Sequence, residues 1–181
     1  MNTLINKLLL FDHLNEQQLG LISRKIEKVH LEEMEYYTEP GYIQSCLAFV
    51  DKGVLHYNYY NNKAENITSS LIGEGDFIVP ASHLFLPIIP SDYLQAITMC
   101  TLLVIRKSGM DELSATIPNW DNILRMVSQK AIIERRSRLV RLDENVDKDL
   151  IVTEYLKKFP HLSKHLKANR ILQYLQKEQP K

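Results

Sequence analysis

Residues with the means for chemistry are few and scattered along this chain. His161 and His165 stand four apart, a spacing that puts both imidazoles on one side of a helix. A zinc site needs further ligands, and no nearby Cys, Asp or Glu completes a set. Ser82-His83 joins a hydroxyl to an imidazole, but without the Gly-x-Ser-x-Gly elbow or an orienting acid that nucleophilic catalysis uses. Cys46 and Cys100 lie outside any Cys-x-x-Cys or His/Cys cluster and read as buried, reduced thiols. Glu32, Glu33, Glu35 and Glu39 form an acidic run of the kind that water solvates at little cost. Tyr57 and Tyr59 share one face of an expected strand, which reads as sheet packing rather than base stacking. His56 is the one histidine within the expected strands, too few for the metal centre of a cupin enzyme. The residues therefore point away from an enzyme, a bound metal or a cofactor.

The elements that would position these groups fall into three stretches. In the first, Leu4, Ile5, Leu8 and Leu9, then Leu19, Leu21, Ile22 and Ile26 recur at helical spacing, and Asn15-x-x-Gln18 offers a capping box. Residues 3–28 are expected to form two short helices. After His30 the period becomes that of strands: Tyr42-Ile43, Cys46 to Val50, Val54 to Tyr60, Asn66 to Ile72, Asp92 to Thr98 and Thr101 to Arg106. Pro40-Gly41, Asp51-Lys52-Gly53, Asn61-Asn62-Lys63 and Gly73-Glu74-Gly75 punctuate them. Many short strands with regular turns suggest a sandwich or a jelly roll, the latter a double-stranded β-helix, over residues 1–118 with its leading helices.

From Asn119 to Asp143, Trp120, Ile123, Leu124, Val127, Ala131, Leu139 and Leu142 make an apolar face amid charged residues. A helix of this extent would measure about 37 Å, more than a domain of this size needs for its own core. Residues 119–143 are therefore expected to pair with a second copy of the chain, as a dimerisation helix in the segment 119–145. Leu150–Phe159 and His165–Gln176 read as two more helices, parted by Pro160, in a short C-terminal segment 146–181. The expected class is thus mainly β with α.

The 181 residues carry no net charge, with 45% hydrophobic and 24% charged, as a globular protein does. The charge is unevenly spread. From Arg125 onward there are 14 basic and 7 acidic residues, against 8 and 15 before it. A basic C-terminal part is what contact with nucleic acid would need, and is also what a solvated helical tail carries. Leu8 to Phe11 is a short apolar run ended by Asp12-His13 with no small-residue cleavage site, and no segment reaches the length of a membrane span. A cytoplasmic location is expected, with the Asn66-Ile67-Thr68 sequon a chance match.

Glu39-Pro40-Gly41, Ala48-Phe49-Val50, Asp51-Lys52-Gly53-Val54, Gly73-Glu74-Gly75-Asp76-Phe77 and Leu102 to Ile105 follow one another in a telling order. In that order they resemble the β-roll of the Crp/Fnr family of bacterial regulators. Ser108 to Pro118 with the long helix is similar to that family's dimer helix. Tyr155-Leu156-Lys157-Lys158-Phe159-Pro160 to Ile171-x-x-Tyr174-Leu175 is similar to the approach to its helix-turn-helix, in the Bacteroidetes-type branch. The resemblance implies a cyclic-nucleotide-binding-type sensor, a homodimer and transcription regulation through DNA.

Two departures limit what the resemblance implies. Nucleotide-binding members hold the cyclic phosphate with backbone amides and an Arg, and the ribose with a Glu that follows a Gly, since a buried phosphate needs a cation and several donors. Here Val79-Pro80 stands at the Gly-Glu place, and Pro90-Ser91-Asp92-Tyr93 at that of the Arg. Pro80 lacks a backbone donor, Asp92 repels phosphate, and no Arg or Lys occurs between Lys63 and Arg106. A ligand at the family's pocket would meet Gly75, Val79, Ala81, Ser82, Ser91 and Tyr93, a lining that suits a small neutral molecule. The second departure is at the other end. Gln176 stands where the turn glycine of the helix-turn-helix would be, and the sequence stops at Lys181 before a recognition helix. Lys157, Lys158, Lys164, Lys167 and Arg170 would then give phosphate contacts without base readout. The expectation is a ligand-sensing regulator that does not answer to cyclic nucleotides in the usual way. The alternative is a protein-interaction adaptor with a structural roll and no DNA binding, its long helix pairing with a distinct partner; the C-terminal segment reads equally as a solvated helical tail packed on its own domain.

Overall fold

The computed structural model describes residues 2–41, 46–64, 66–79, 92–137, 148–167 and 171–172. Helices α1 (Asn2–Leu8) and α2 (Glu16–Arg24) lead into strands β1 (Ile26–Leu31), β2 (Tyr36–Thr38), β3 (Cys46–Lys52) and β4 (Val54–Tyr60). Strands β5 (Asn66–Gly73), β6 (Phe77–Ile78), β7 (Tyr93–Ala96) and β8 (Cys100–Arg106) follow. Helices α3 (Lys107–Thr116), α4 (Trp120–Ser137) and α5 (Lys148–Lys158) come next, then a 3₁₀ turn at Pro160–Lys164. The strands form two four-stranded antiparallel sheets, ordered β1-β8-β3-β6 and β2-β7-β4-β5.

The sequences of β3 and β8 decide the layering. Successive side chains of a strand point to opposite sides. Ala48 and Val50 of β3 therefore look one way with Leu102 and Val104 of β8, while Leu47 and Phe49 look the other way with Leu103 and Ile105. All eight are buried. A sheet apolar on both faces has to be covered on both. On the inner face the cover is the second sheet, through Leu55, Ile72, Leu94 and Ala96. On the outer face it is helical, through Leu4, Leu8, Ile22, Met110, Leu113, Trp120, Ile123 and Val127. This is the jelly roll expected from the strand pattern, with α1 to α4 laid against its first sheet.

The hairpin between β3 and β4 turns on Gly53. Its φ of +93° lies in the left-handed region, and a Cβ there would meet the Met99 carbonyl oxygen at 2.5 Å and Cys100 Sγ at 2.6 Å. The second glycine turn is pinned by Asp76, whose carboxylate accepts the Gly73 N–H at 2.7 Å. The Gly75 N–H donates to the Val50 carbonyl and the Val50 N–H to that of Asp76, both at 2.9 Å.

The second sheet is covered on its outer face too. Val54, Leu71 and Ile97 are buried beneath Val152, Tyr155, Phe159, Leu162, Leu166 and Ile171, so the C-terminal segment packs on the roll. This is a third apolar layer.

Two expected elements are corrected. Helix α2 is capped by Asn15 and Gln18 as expected, each side chain accepting the other's backbone N–H at 2.9 Å. It ends at Arg24, however, and β1 begins at Ile26 instead of after His30, because Ile26 to Leu31 pairs along the whole of β8. His30 is therefore a second strand histidine. Downstream, His165 to Lys167 are not helical: Pro160, which has no N–H to give, starts a 3₁₀ turn, and His165 leaves it to meet Glu74. Tyr42-Ile43, residues 138–143 of the long helix, and the stretches 168–170 and 173–176 lie outside the described residues.

Candidate functional site

Helix α4 carries Ile123, Val127, Ala131 and Arg135 at four-residue intervals, one stripe of a helix. The first three pack in the layer against the first sheet. Arg135 meets the second: its guanidinium carbon lies 3.8 Å from the centre of the Tyr57 ring of β4, and Nη2 pairs with the carboxylate of Asp92, which precedes β7. Eight residues of helix from Val127 to Arg135 advance about 12 Å, against the roughly 10 Å between packed sheets. The helix thus crosses from one sheet to the other at an end of the roll.

Tyr57 belongs to the inner layer, with Tyr37 and Cys46. Burial raises the Tyr57 phenol above its ordinary value, while Arg135 pulls it down and Asp92 pushes it up. The Tyr37 hydroxyl and Cys46 Sγ lie 3.4 Å apart, and burial drives both groups upward. Cys100 is also raised by burial, and its thiol donates to the Thr98 carbonyl at 3.1 Å. Cys46 is half-buried rather than buried as expected, and burial outweighs the nearby Arg106 charge, so neither thiol is shifted toward the thiolate.

Three of the six expected ligand-lining residues, Gly75, Val79 and Tyr93, are among the described residues. Gly75, with φ +88°, backs onto α1, where an added Cβ would meet the Lys7 side chain at 3.8 Å. Val79 packs with the outer layer of the first sheet. Tyr93 stands opposite Asn58 on the outer face of the second sheet, its ring centre 5.2 Å from that of Tyr36 and 5.6 Å from that of Tyr60. Ala81, Ser82 and Ser91 lie outside the described residues.

The candidate nucleic-acid lysines are placed by the C-terminal packing. Lys157, Lys164 and Lys167 are exposed. Lys157 pairs with Glu154 at 2.6 Å and Lys164 with Glu74 at 3.6 Å. Arg170 and the Lys158 side chain lie outside the described residues. Glu74, in the turn after β5, also takes His165 Nε2 at 2.7 Å. Burial alone would raise the Glu74 carboxyl, but the hydrogen bond and charge of His165 and the charge of Lys164 outweigh it and hold the carboxyl below its usual range.

His56 serves the sheet. Its Nδ1 lies 3.0 Å from the Thr68 hydroxyl, and its Nε2 lies 2.9 Å from Asn58 Nδ2 and 3.1 Å from Gln95 Oε1. Gln95 is anchored in turn by donating to the Met34 carbonyl at 2.7 Å. Among the described residues no three of His, Cys, Asp and Glu are grouped so as to hold a metal ion, and no helix is long and apolar enough to cross a membrane.

Solved structures share this arrangement of roll and helices. A cyclic nucleotide-binding domain from Methylobacillus flagellatus superposes with a TM-score of 0.60 at 15% identity, over 75% of this chain and 79% of that one. The fold is that of a cyclic nucleotide-binding domain. The same fold relates this chain to the c-di-GMP-responsive global regulator CLP of Xanthomonas campestris, at TM-score 0.58 and 16% identity over 80% and 72% of the two chains. The catabolite activator protein of Thermus thermophilus gives 0.57 and 18%, with 72% of this chain covering 61% of that one. No family model and no curated protein matches the sequence.

Sequence reasoning missed Arg135 and the Glu74–His165 contact. The first had a signal: an arginine stands at the next four-residue step of the apolar stripe after Ala131. The second had none, since the partners are 91 residues apart and the helix expected to carry His165 does not begin there.

Proposed function

We propose that the chain is a regulatory protein of the Crp/Fnr type, with a cyclic-nucleotide-binding-type roll that does not bind cyclic AMP or cyclic GMP in the usual way. The observation that carries this reading is the Arg135–Asp92 pair. A cation does reach the second sheet, but it is already committed to a carboxylate and a tyrosine ring. A cyclic phosphate would have to take Arg135 from Asp92 and then sit beside that negative charge. A small neutral ligand on Gly75, Val79, Ala81, Ser82, Ser91 and Tyr93 remains part of the proposal. A homodimer through residues 119–143 is supported by Ile132 and Ile133, which are 47% and 67% exposed on α4.

Thermal denaturation of the whole chain tests the first point. A cyclic nucleotide present at 100 times its dissociation constant would add about 2.7 kcal/mol, or about 5–10 °C for a chain of this size. No shift with millimolar cyclic AMP or cyclic GMP is expected. A shift of that order with either would overturn the reading.

The docked C-terminal segment favours a second reading, an adaptor that acts through protein contacts and not through DNA. Val152, Tyr155, Phe159 and Leu162 are spent on the roll, and Lys157 and Lys164 are paired with carboxylates. Gel-shift binding that persists at physiological salt and depends on sequence supports transcription regulation. Binding that vanishes above low salt leaves only electrostatics and favours the adaptor.

A further inference from the structure

The end of the roll carries the two contacts that recognise a guanidinium, and the chain fills them itself. An aromatic face attracts a planar cation, and a carboxylate at its edge takes the N–H groups. Tyr57 supplies the face at 3.8 Å and Asp92 the carboxylate. The guanidinium comes from Arg135, which the stripe through Ile123, Val127 and Ala131 aims at the second sheet. Within the same helical turn Ile132 and Ile133 are exposed, so Arg135 supplies polar contacts that tie this part of α4 to the roll.

We propose that Tyr57 and Asp92 form a guanidinium-binding site, occupied in this state by Arg135, and that its occupation straps the C-terminal turns of α4 across the roll. A free alkylguanidinium competes with Arg135 for the site, and wins only where Arg135 is gone. The strap goes beyond the regulatory reading and does not depend on it. It shares the Arg135–Asp92 pair with that reading, but occupation of the site by methylguanidinium is read without any nucleotide or DNA present.

The test uses the full chain and methylguanidinium as the probe. In Arg135→Ala the site is open, and titration followed by NMR or calorimetry should show saturable binding in the millimolar range. Wild type, already filled, should bind at least about tenfold more weakly, the discrimination given by about 1.4 kcal/mol of strap. Adding Asp92→Asn to Arg135→Ala should abolish binding, and methylammonium, which lacks the planar fork, should bind more weakly than methylguanidinium. Amide exchange in residues 128–135 should quicken by about tenfold in Arg135→Ala. Arg135→Lys provides a second variant that keeps the charge: it should retain part of the exchange protection and admit the probe more readily than wild type. Absence of saturable binding to both Arg135 variants, or equal binding to wild type and to the Arg135→Ala, Asp92→Asn double variant, would overturn the proposal.

Discussion

Replacing Leu162 by alanine probes the packing of the C-terminal segment on the second sheet. Leu162 is fully buried, in a cluster that joins Val54, Leu71 and Ile97 of the roll to Val152, Tyr155, Phe159, Leu166 and Ile171. A buried Leu→Ala change costs about 2–5 kcal/mol through lost transfer energy and the cavity left behind. How that cost appears depends on whether the segment opens alone or with the roll. Two probes separate the cases. Trp120, the only tryptophan, is buried in the opposite layer and reports on the roll and its helices. Backbone amides of α5 report on the docked segment. In urea, a roll and segment that unfold together lose the whole 2–5 kcal/mol at the Trp120 transition. A segment that opens first loses it locally, and α5 amides exchange about 30-fold faster or more, at 1.4 kcal/mol per tenfold. Leu162→Met should cost under about 1.5 kcal/mol by either probe, since volume is kept. An alanine variant that moved neither the Trp120 transition nor α5 exchange would refute the docking.

Other perturbations have directions fixed by single contacts. Gly53→Ala forces a Cβ against the Met99 carbonyl and Cys100 at a left-handed backbone position, and should lower stability by about 3 kcal/mol in urea denaturation. Glu74 has its carboxyl held below its ordinary 4.5, so it contributes stability that is present above that pH and lost as pH falls through the lowered value. The stability advantage of wild type over Glu74→Gln should therefore be present above pH 4.5 while His165 is charged and disappear in strong acid, as read from denaturation midpoints across that range. Arg106, whose guanidinium pairs with Glu27 at 2.7 Å, has both partners more than half exposed, and Arg106→Gln should change the midpoint by under about 1 kcal/mol.

Much of the roll could be read from the chain because its strands obey one local rule. Ala48 and Val50 against Leu47 and Phe49, each set buried, follow from strand alternation alone, and Gly53 marks its hairpin by being a glycine between two β-rich runs. The boundary between α2 and β1 was not readable. Ile26 fits the helical period of Leu19 and Ile22, and only pairing with Ile105, far along the chain, makes it a strand residue. The same limit applied to the site. Gly75 lies against Lys7, Val79 against the helical layer and Tyr93 against two tyrosines, neighbours set by packing between segments far apart in the chain. The lack of any Arg or Lys from 64 to 105 was visible in the sequence. That α4 would deliver one to the second sheet depended on helix phase and on how the helix lies across the roll.

Strand β4 touches both helical parts of the chain that meet the second sheet. Tyr57 takes Arg135 of α4, and Val54, three residues earlier, lies under the C-terminal segment. Sharing a strand does not by itself couple the two. β4 is hydrogen-bonded on both sides, to β5 along its whole length and to β7 from Leu55 to Asn58, and its side chains are packed above and below. A strand so held deforms little, and distant sites without shared partners add within about 0.5 kcal/mol. The double variant Arg135→Ala, Leu162→Ala should therefore lose the sum of the two single losses, measured by urea denaturation. Non-additivity above about 1 kcal/mol would instead make β4 a moving part. With additivity, α4 is the element that carries a change at the Tyr57–Asp92 site outward. The same helix holds Arg135 towards its C-terminal end, Trp120 in the core at its start and Ile132 and Ile133 exposed, so release of the strap would shift that exposed pair.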